Sequence, residues 1–280
     1  MIRNISDTAL WVAIYRADES ERTDAVFKDK FARILAGERG SQIVDAMETG
    51  RKNSWSFVAR TFLFDEFIIQ HVKDDFDMII NLGCGLDTRP YRLQLPSKLT
   101  WIDIDLPEII NYMQLMLSKE NANCQIERIA LDLSDRQARL DLFHQLGKRG
   151  KKILVIAEGL ISYLDEVEAG ALSYDLSHQK NFRHWLIDLM SPGILPLIQL
   201  EMGKLLEDAN APLRFAPEEG EEFFLLFGWK PIESKSKLKT AATLKRLPLE
   251  MIKYAHLPEP KGKKGNFPWS GVCLFENNIK

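Results

Sequence analysis

Two glycines one residue apart, Gly83 and Gly85, end an apolar run from Phe76 to Leu82, and an acid, Asp87, follows them. Glycine at such a place lets the backbone turn sharply and approach a ligand closely. Twenty residues past Gly85, the segment Trp101-Ile102-Asp103-Ile104-Asp105 is apolar and ends in acid. A glycine loop followed by an acid at the tip of the next strand is how doubly wound α/β folds hold a nucleoside. The loop wraps the ligand and the acid takes the ribose hydroxyls. A dinucleotide would need a third glycine three residues after the second, so that a helix N-terminus can approach the pyrophosphate. Thr88 stands there instead. An acid inside the loop repels a pyrophosphate and suits a ligand with no phosphate and a positive centre. S-adenosylmethionine has that chemistry: adenosine, a sulfonium and an amino acid tail. No G-x-x-x-x-G-K-[ST] occurs, which excludes a P-loop.

Further acids stand where later strands should end. Asp132 and Leu133 follow one apolar segment, and Glu158 and Gly159 follow another. Alternation along a strand sets Asp103 and Asp105 on the same face, so spacing does not rank them. Asp132 reads equally well as a helix cap before Ser134-Asp135. Glu158, closing a buried strand, needs a partner. The five histidines are scattered without metal-ligand spacing, so no metal is expected.

The elements that must position these residues change character along the chain. Before residue 73 the pattern is helical, with runs at Asp7–Tyr15, Asp24–Leu35, Gln42–Met47 and Ser54–Val72. Beyond it, strands are expected at Met78–Leu82, Leu99–Ile104, Gln125–Ala130, Ile153–Ala157 and Trp185–Leu189. They alternate with helices at Pro107–Glu120, Asp135–Gly147, Asp165–His178 and Gly193–Leu206. Such alternation means a parallel sheet covered on both faces, with ligands beyond the carboxyl ends of the strands. Near the end the alternation breaks: a loop at Ala211–Pro217, a helix at Glu218–Phe227, a short strand at Trp229–Ile232, a polar loop at Pro258–Pro268 and a last strand at Gly271–Glu276. The two late strands suit an antiparallel pair at a sheet edge. The expected class is α/β, Rossmann-like and mostly parallel, with a helical cap over 1–72. A catalytic domain follows over 73–280, with a substrate-covering insert around 205–230.

A chain of 280 residues with a formal charge of −3 gives no argument for nucleic-acid binding. The basic clusters Lys148–Lys152 and Lys261–Lys264 read as solvated loops. Cys84, Cys124 and Cys273 are far apart and lie in or beside apolar segments, as buried thiols of a reducing compartment would. No apolar stretch reaches membrane-spanning length and no leader pattern opens the chain, so a cytoplasmic protein without a membrane partner is expected. A homo-oligomer is compatible with the sequence, which does not decide the oligomeric state.

The chain resembles the leucine carboxyl methyltransferase family. The likeness rests on Asn81-Leu82-Gly83-Cys84-Gly85-Leu86-Asp87-Thr88-Arg89-Pro90-Tyr91-Arg92, Ile104-Asp105-Leu106-Pro107, Leu131-Asp132-Leu133 and Ala157-Glu158-Gly159-Leu160-Ile161-Ser162-Tyr163-Leu164. Asp7–Ala13, Tyr15-Arg16-Ala17, Trp55, Arg60-Thr61 and Arg214-Phe215-Ala216-Pro217 are similar to the bacterial branch that includes tetracenomycin-type polyketide carboxyl O-methyltransferases. Phe27-Lys28-Asp29-Lys30, where relatives usually carry a proline after the acid, and Cys84, often alanine, depart from the pattern. The resemblance implies a Rossmann-like S-adenosylmethionine-dependent O-methyltransferase acting on a small or polyketide-like acid. It also implies a residue set. Arg60 would meet the cofactor's carboxylate, Gly83 and Gly85 the methionine moiety, and Asp105 the ribose. Asp132 and Leu133 would frame the adenine, and Glu158 would lie by the amino acid end. The positions of Tyr15, Arg16, Tyr163 and Arg214, with Arg89 and Arg92, suit groups that orient the acceptor. Two alternatives are a nicotinamide-dependent oxidoreductase on a similar sheet and a cofactor-binding protein without turnover.

Overall fold

The structure, a computed structural model, describes residues 7–47, 50–73, 75–208, 210–260 and 262–279. Seven strands make one sheet: β1 (Met78–Leu82), β2 (Thr100–Asp105), β3 (Gln125–Ala130), β4 (Ile153–Ala157), β5 (Phe182–Met190), β6 (Trp229–Ser236) and β7 (Ser270–Asn277). Their order is β3-β2-β1-β4-β5-β7-β6. The first five run parallel, and β7 lies antiparallel between β5 and β6. The Rossmann-like, mostly parallel class and its antiparallel edge are therefore as expected.

The helices are α1 (Asp7–Glu21), α2 (Ala32–Asp45), α3 (Ser54–Val72), α4 (Arg89–Arg92), α5 (Pro107–Met116), α6 (Arg136–Arg149), α7 (Glu166–Ser177), α8 (Leu195–Ile198), α9 (Lys204–Asp208), α10 (Lys237–Thr243) and α11 (Ile252–Ala255). β1 and β4 are buried along their whole length, as central strands covered on both faces must be. Alternate residues face opposite cores. Met78, Ile80 and Leu82 join Phe143, Leu172, Trp185 and Phe224 on the side of α6 and α7. Ile79 joins Phe64, Phe67, Trp101 and Leu186 on the side of α3. A third cluster unites Trp11, Ile14, Tyr15, Leu35 and Val44 of α1 and α2 with Cys84, Leu86, Ile110 and Leu206. The first helices thus pack on the glycine loop and on α9.

Several boundaries differ from expectation. No helix spans Asp24–Leu35. Asp29 accepts from the N–H groups of Phe31 and Ala32, both at 3.1 Å, and α2 begins only at Ala32. The separate helix expected at Gln42–Met47 is the second half of α2, which is kinked at Gly37 (φ 56°). The helix expected over Gly193–Leu206 is α8 and α9 joined by a π-helical turn, Gln199–Gly203. Glu218–Phe227 forms a 3₁₀ helix from Gly220. β6 runs four residues past Ile232, through a polar edge segment that lacks an apolar alternation. Lys261 lies outside the described residues, but Lys264 of the same basic cluster is buried. Its ammonium lies over the Trp269 ring at 4.6 Å and 3.4 Å from Glu221. The three thiols are buried and unpaired. Among the described residues no helix is long and apolar enough to cross a membrane.

Candidate active site

Beyond the carboxyl ends of β1, β2 and β4 lies a cavity of about 550 Å³, lined on its outer side by residues of α1 and α3. The β1–α4 loop makes its floor. Gly83 and Gly85 both have positive φ, 61° and 52°, which glycine adopts freely. A Cβ on Gly83 would sit 3.2 Å from Leu160 Cδ1, and one on Gly85 would sit 3.2 Å from Ala9 Cβ. The glycines therefore serve both the turn and the close approach of α1.

At the tip of β2 the two acids separate. Asp105 borders the cavity, and its carboxylate accepts from the N–H groups of Gly85 and Leu106, both at 2.7 Å. These bonds tie the acid to the glycine loop. Asp103 lies below, wholly buried. It accepts from Trp101 Nε1 at 2.8 Å and Asn81 Nδ2 at 3.2 Å, and Arg128 stands 3.6 Å away. Burial, then Asp87, push its carboxyl up to about 7. Asp132 also borders the cavity. It accepts from Ser134 N–H at 2.9 Å, while Asp135 caps α6 by accepting from Ala138 N–H. The cap role that sequence left open for Asp132 belongs to Asp135.

The other end of the cavity is a cluster of charges. Arg60, on the buried face of α3, reaches Glu158 through Nε at 2.9 Å and Asp188 through Nη1 at 3.2 Å. Arg89 meets Asp65, Asp87 and Glu158, each at 2.7 Å, and Arg92 meets Asp65 at 2.6 Å. Burial alone would raise the Glu158 carboxyl, but Arg89, Arg60 and Arg16 overcome it and bring the group down to about 2. Arg16 pairs with Asp29 at 2.9 Å and donates to the Leu86 carbonyl at 2.6 Å. Neither Arg60 Nη2 nor Arg16 Nη1 donates a hydrogen bond to a described residue, and both side chains line the cavity.

Arg60, Gly83, Gly85, Asp105, Asp132, Leu133 and Glu158 thus surround one cavity, together with Arg16 and Tyr163. Tyr15 and Arg214 are not among its lining. Tyr15 is buried against Phe57, with its hydroxyl 4.0 Å from Met47 Sδ. Arg214 is exposed, its N–H held by the Ser162 carbonyl at 2.8 Å. Arg89 and Arg92 also line the cavity; Asp65, Asp87 and Glu158 engage Arg89, and Asp65 engages both Nη atoms of Arg92, whose Nε is buried without a hydrogen bond to a described residue. Arg89 likewise engages Asp87, whose charge sequence reasoning had aimed at a cationic ligand. Of the two acids that meet Arg60, Glu158 is the one that lines the cavity. Asp188, Asp65, Asp29 and Lys237 escaped sequence reasoning. Asp188 is one more polar residue inside the apolar strand β5, and its position at the strand's carboxyl end was the one available signal.

The family model for leucine carboxyl methyltransferase matches residues 9–175. The chain belongs to the leucine carboxyl methyltransferase family. A Frankia alni relative named "Putative S-adenosyl-L-methionine-dependent methyltransferase" is 26% identical over 259 residues, 84% of this chain and 86% of that one. A Mycobacteroides abscessus protein with the same description is 29% identical over 189 residues. That match covers 61% of this chain and 62% of the relative's length. Among solved structures, a DUF574 family protein from Streptomyces avermitilis superposes with a TM-score of 0.60 at 11% identity, covering 95% of this chain and 96% of that one. A "putative methyltransferase" from Thermobifida fusca gives 0.57 at 12% identity, with 99% and 96% covered. These two likenesses establish the shared fold: that of class I methyltransferases.

The donor those relatives are named for can be tested against this family member's own residues. The guanidinium of Arg60 and the carboxylate of Glu158 sit side by side at one end, which matches a zwitterionic amino acid. A carboxylate at a strand tip and an apolar wall of Leu106, Ile109, Leu131 and Leu133 stand at the other, which matches a ribose and a flat base. The donor set fits S-adenosylmethionine.

Proposed function

We propose that this methyltransferase uses S-adenosyl-L-methionine to methylate a carboxylate oxygen of a small, apolar-bodied acid, and that residues 1–72 cap a donor-binding domain formed by 73–280. S-adenosylmethionine supplies the electrophile, a methyl group on a sulfonium. The chain supplies position and field. In this reading Arg60 Nη2 donates a charge-assisted hydrogen bond to the donor's carboxylate. Glu158, ionised at every physiological pH, faces its ammonium. Gly83 and Gly85 lie under the methionine portion. Asp105 takes the ribose hydroxyls, and Asp132 and Leu133 frame the base.

The observation that carries the carboxylate reading is Arg16. It is a cavity-lining guanidinium other than the one assigned to the donor, and its Nη1 donates no hydrogen bond to a described residue. An acceptor carboxylate is already ionised at pH 7 and needs no general base. It needs orientation, which Arg16 offers, and exclusion of water, which Trp11, Val12, Phe57 and Leu164 offer. Burial raises the Tyr163 phenol, which therefore keeps its proton and shares a hydrogen bond with Thr8. The stretch around 205–230 supports the cap. Leu206, Ala211 and Leu213 pack on the cluster that holds Trp11 and Tyr15.

The test is incubation with methyl-labelled S-adenosylmethionine and matched pairs of aromatic or polyketide-like acids and their primary amides. Label in base-labile methyl esters of the acids alone is expected. Label in phenolic or amine groups instead, or none in any acid while the donor binds, would overturn the acceptor assignment.

A further inference from the structure

Asp188 sits near the end of β5, buried, one layer behind the cavity and not in its lining. Its two carboxylate oxygens do different things. Oδ1 accepts the Gly159 N–H at 2.6 Å, and Oδ2 faces Arg60 Nη1 at 3.2 Å. Gly159 turns with φ 69°, and a Cβ there would sit 3.2 Å from Arg60 Nη1. The guanidinium therefore lies flat against that turn. Glu158, one residue earlier, holds Arg60 Nε, and the Phe57 ring lies 5.2 Å from the guanidinium carbon. Three sides of the fork are thereby fixed: one acid on Nε, another on Nη1, and the ring over its face. Nη2 is left without a hydrogen bond to a described residue. Behind Asp188, at the start of α10, the buried ammonium of Lys237 approaches Oδ2 to 3.9 Å.

From this geometry we infer that Asp188, backed by Lys237, is a positioning residue that aims the free edge of Arg60 at the donor's amino acid tail. The inference rests on the donor-site reading above. One carboxylate links the β4 turn to the guanidinium, so the turn under the tail and the cation that grips it move as one unit. Aspartate is needed rather than asparagine, because an amide would turn a donor toward Arg60 and Lys237, both donors themselves. Lys237 offsets the charge that Asp188 would otherwise direct wholly at Arg60. Lys237 is faced by Asp188 from β5, Arg60 from α3, Glu158 from the β4 turn and Cys273 from β7. Burial lowers its ammonium to about 8 against the opposing pull of Asp188. As pH rises through that value the offset is lost, and Arg60 is drawn more strongly to Asp188.

The experiment is isothermal titration of the full chain with two probes, S-adenosylhomocysteine, which has the amino acid tail, and 5′-methylthioadenosine, which lacks it. Asp188→Asn is expected to weaken S-adenosylhomocysteine about tenfold or more and methylthioadenosine less than about twofold, a charge-assisted hydrogen bond being at stake for the first alone. The KM for S-adenosylmethionine should rise by the same factor while kcat at saturating donor changes far less. Lys237→Met, the second variant, should lose the part of the wild-type fall in S-adenosylhomocysteine affinity that develops through pH 8. The ligand's own titration is common to both proteins and cancels. Equal weakening of the two probes by Asp188→Asn, or an unchanged pH profile in Lys237→Met, overturns the positioning role. Failure of wild type to bind either probe overturns the donor site itself, and this inference with it.

Discussion

Asp105 and Glu158 border the two ends of the cavity, and their electrostatics differ. Burial raises the Asp105 carboxyl, partly offset by the Gly85 and Leu106 N–H groups, whereas the arginines around Glu158 bring it down to about 2. Asp105→Ala and Glu158→Gln should each weaken S-adenosylhomocysteine about a hundredfold, since each removes charge-assisted bonds to the ligand. Calorimetry on variants with unchanged circular dichroism checks this, and unchanged affinity would refute the residue roles. Arg16→Met should raise the acceptor's KM about tenfold or more and leave donor affinity within about twofold, which separates the two guanidinium sites. Asp103 makes a prediction of another kind. Its folded pKa of about 7 exceeds its unfolded value near 4, so the native state binds the extra proton. Its contribution is therefore complete below the unfolded value and is lost as pH rises from there through about 7. Thermal melts of wild type should fall in Tm across that window, and Asp103→Asn should flatten the fall. Parallel slopes would show that Asp103 does not titrate there.

Among the elements, α1, α2 and the glycine loop meet at one carboxylate. Asp29 takes the first N–H groups of α2, Arg16 of α1 at 2.9 Å and the Thr88 hydroxyl at 2.7 Å. Burial would raise its carboxyl, but Arg16 and Arg92 hold it below its ordinary range. Removing it leaves Arg16 charged and unpaired in a largely buried place. Asp29→Ala should cost about 3–5 kcal/mol in urea unfolding and loosen the cap over the loop. A cost near zero would show the three elements to be held by apolar packing alone. Asp29 also explains an element that sequence misread. The apolar spacing of Ala25, Val26, Phe27 and Phe31 suggests a helix through Asp24–Leu35. Asp29 instead gathers local N–H groups and a distant arginine, and the chain bends there. The strands were more legible. β1 and β4 have expected and observed limits that coincide, because full burial demands an uninterrupted apolar run. β6 and α10 were less so, since an edge strand and a short surface helix need no apolar pattern.

At the scale of the whole molecule, the fold follows from alternation, and the candidate site follows from what stands at the strand ends. Gly83, Gly85 and Asp105 could be read directly. Arg60 could not. On sequence alone it is a helix arginine, and only the resemblance singles it out, because its partners Glu158 and Asp188 are brought to it by strands 98 and 128 residues away. Asp188 was missed for the same reason. A charge buried behind a site is recognised by its partners, and those partners are set by topology. Asp87 teaches the converse: a loop acid that looks aimed at a ligand proves to be held by Arg89 two residues on. The central claim is that one cavity grips a sulfonium donor by both ends, with the tail between Arg60 and Glu158 and the ribose on Asp105. A crystal structure with S-adenosylhomocysteine measures this most directly. The account predicts its carboxylate within hydrogen-bond distance of Arg60, its ribose hydroxyls on Asp105 and its sulfur above Gly83 and Gly85. The same ligand bound elsewhere, with that turn untouched, would contradict it.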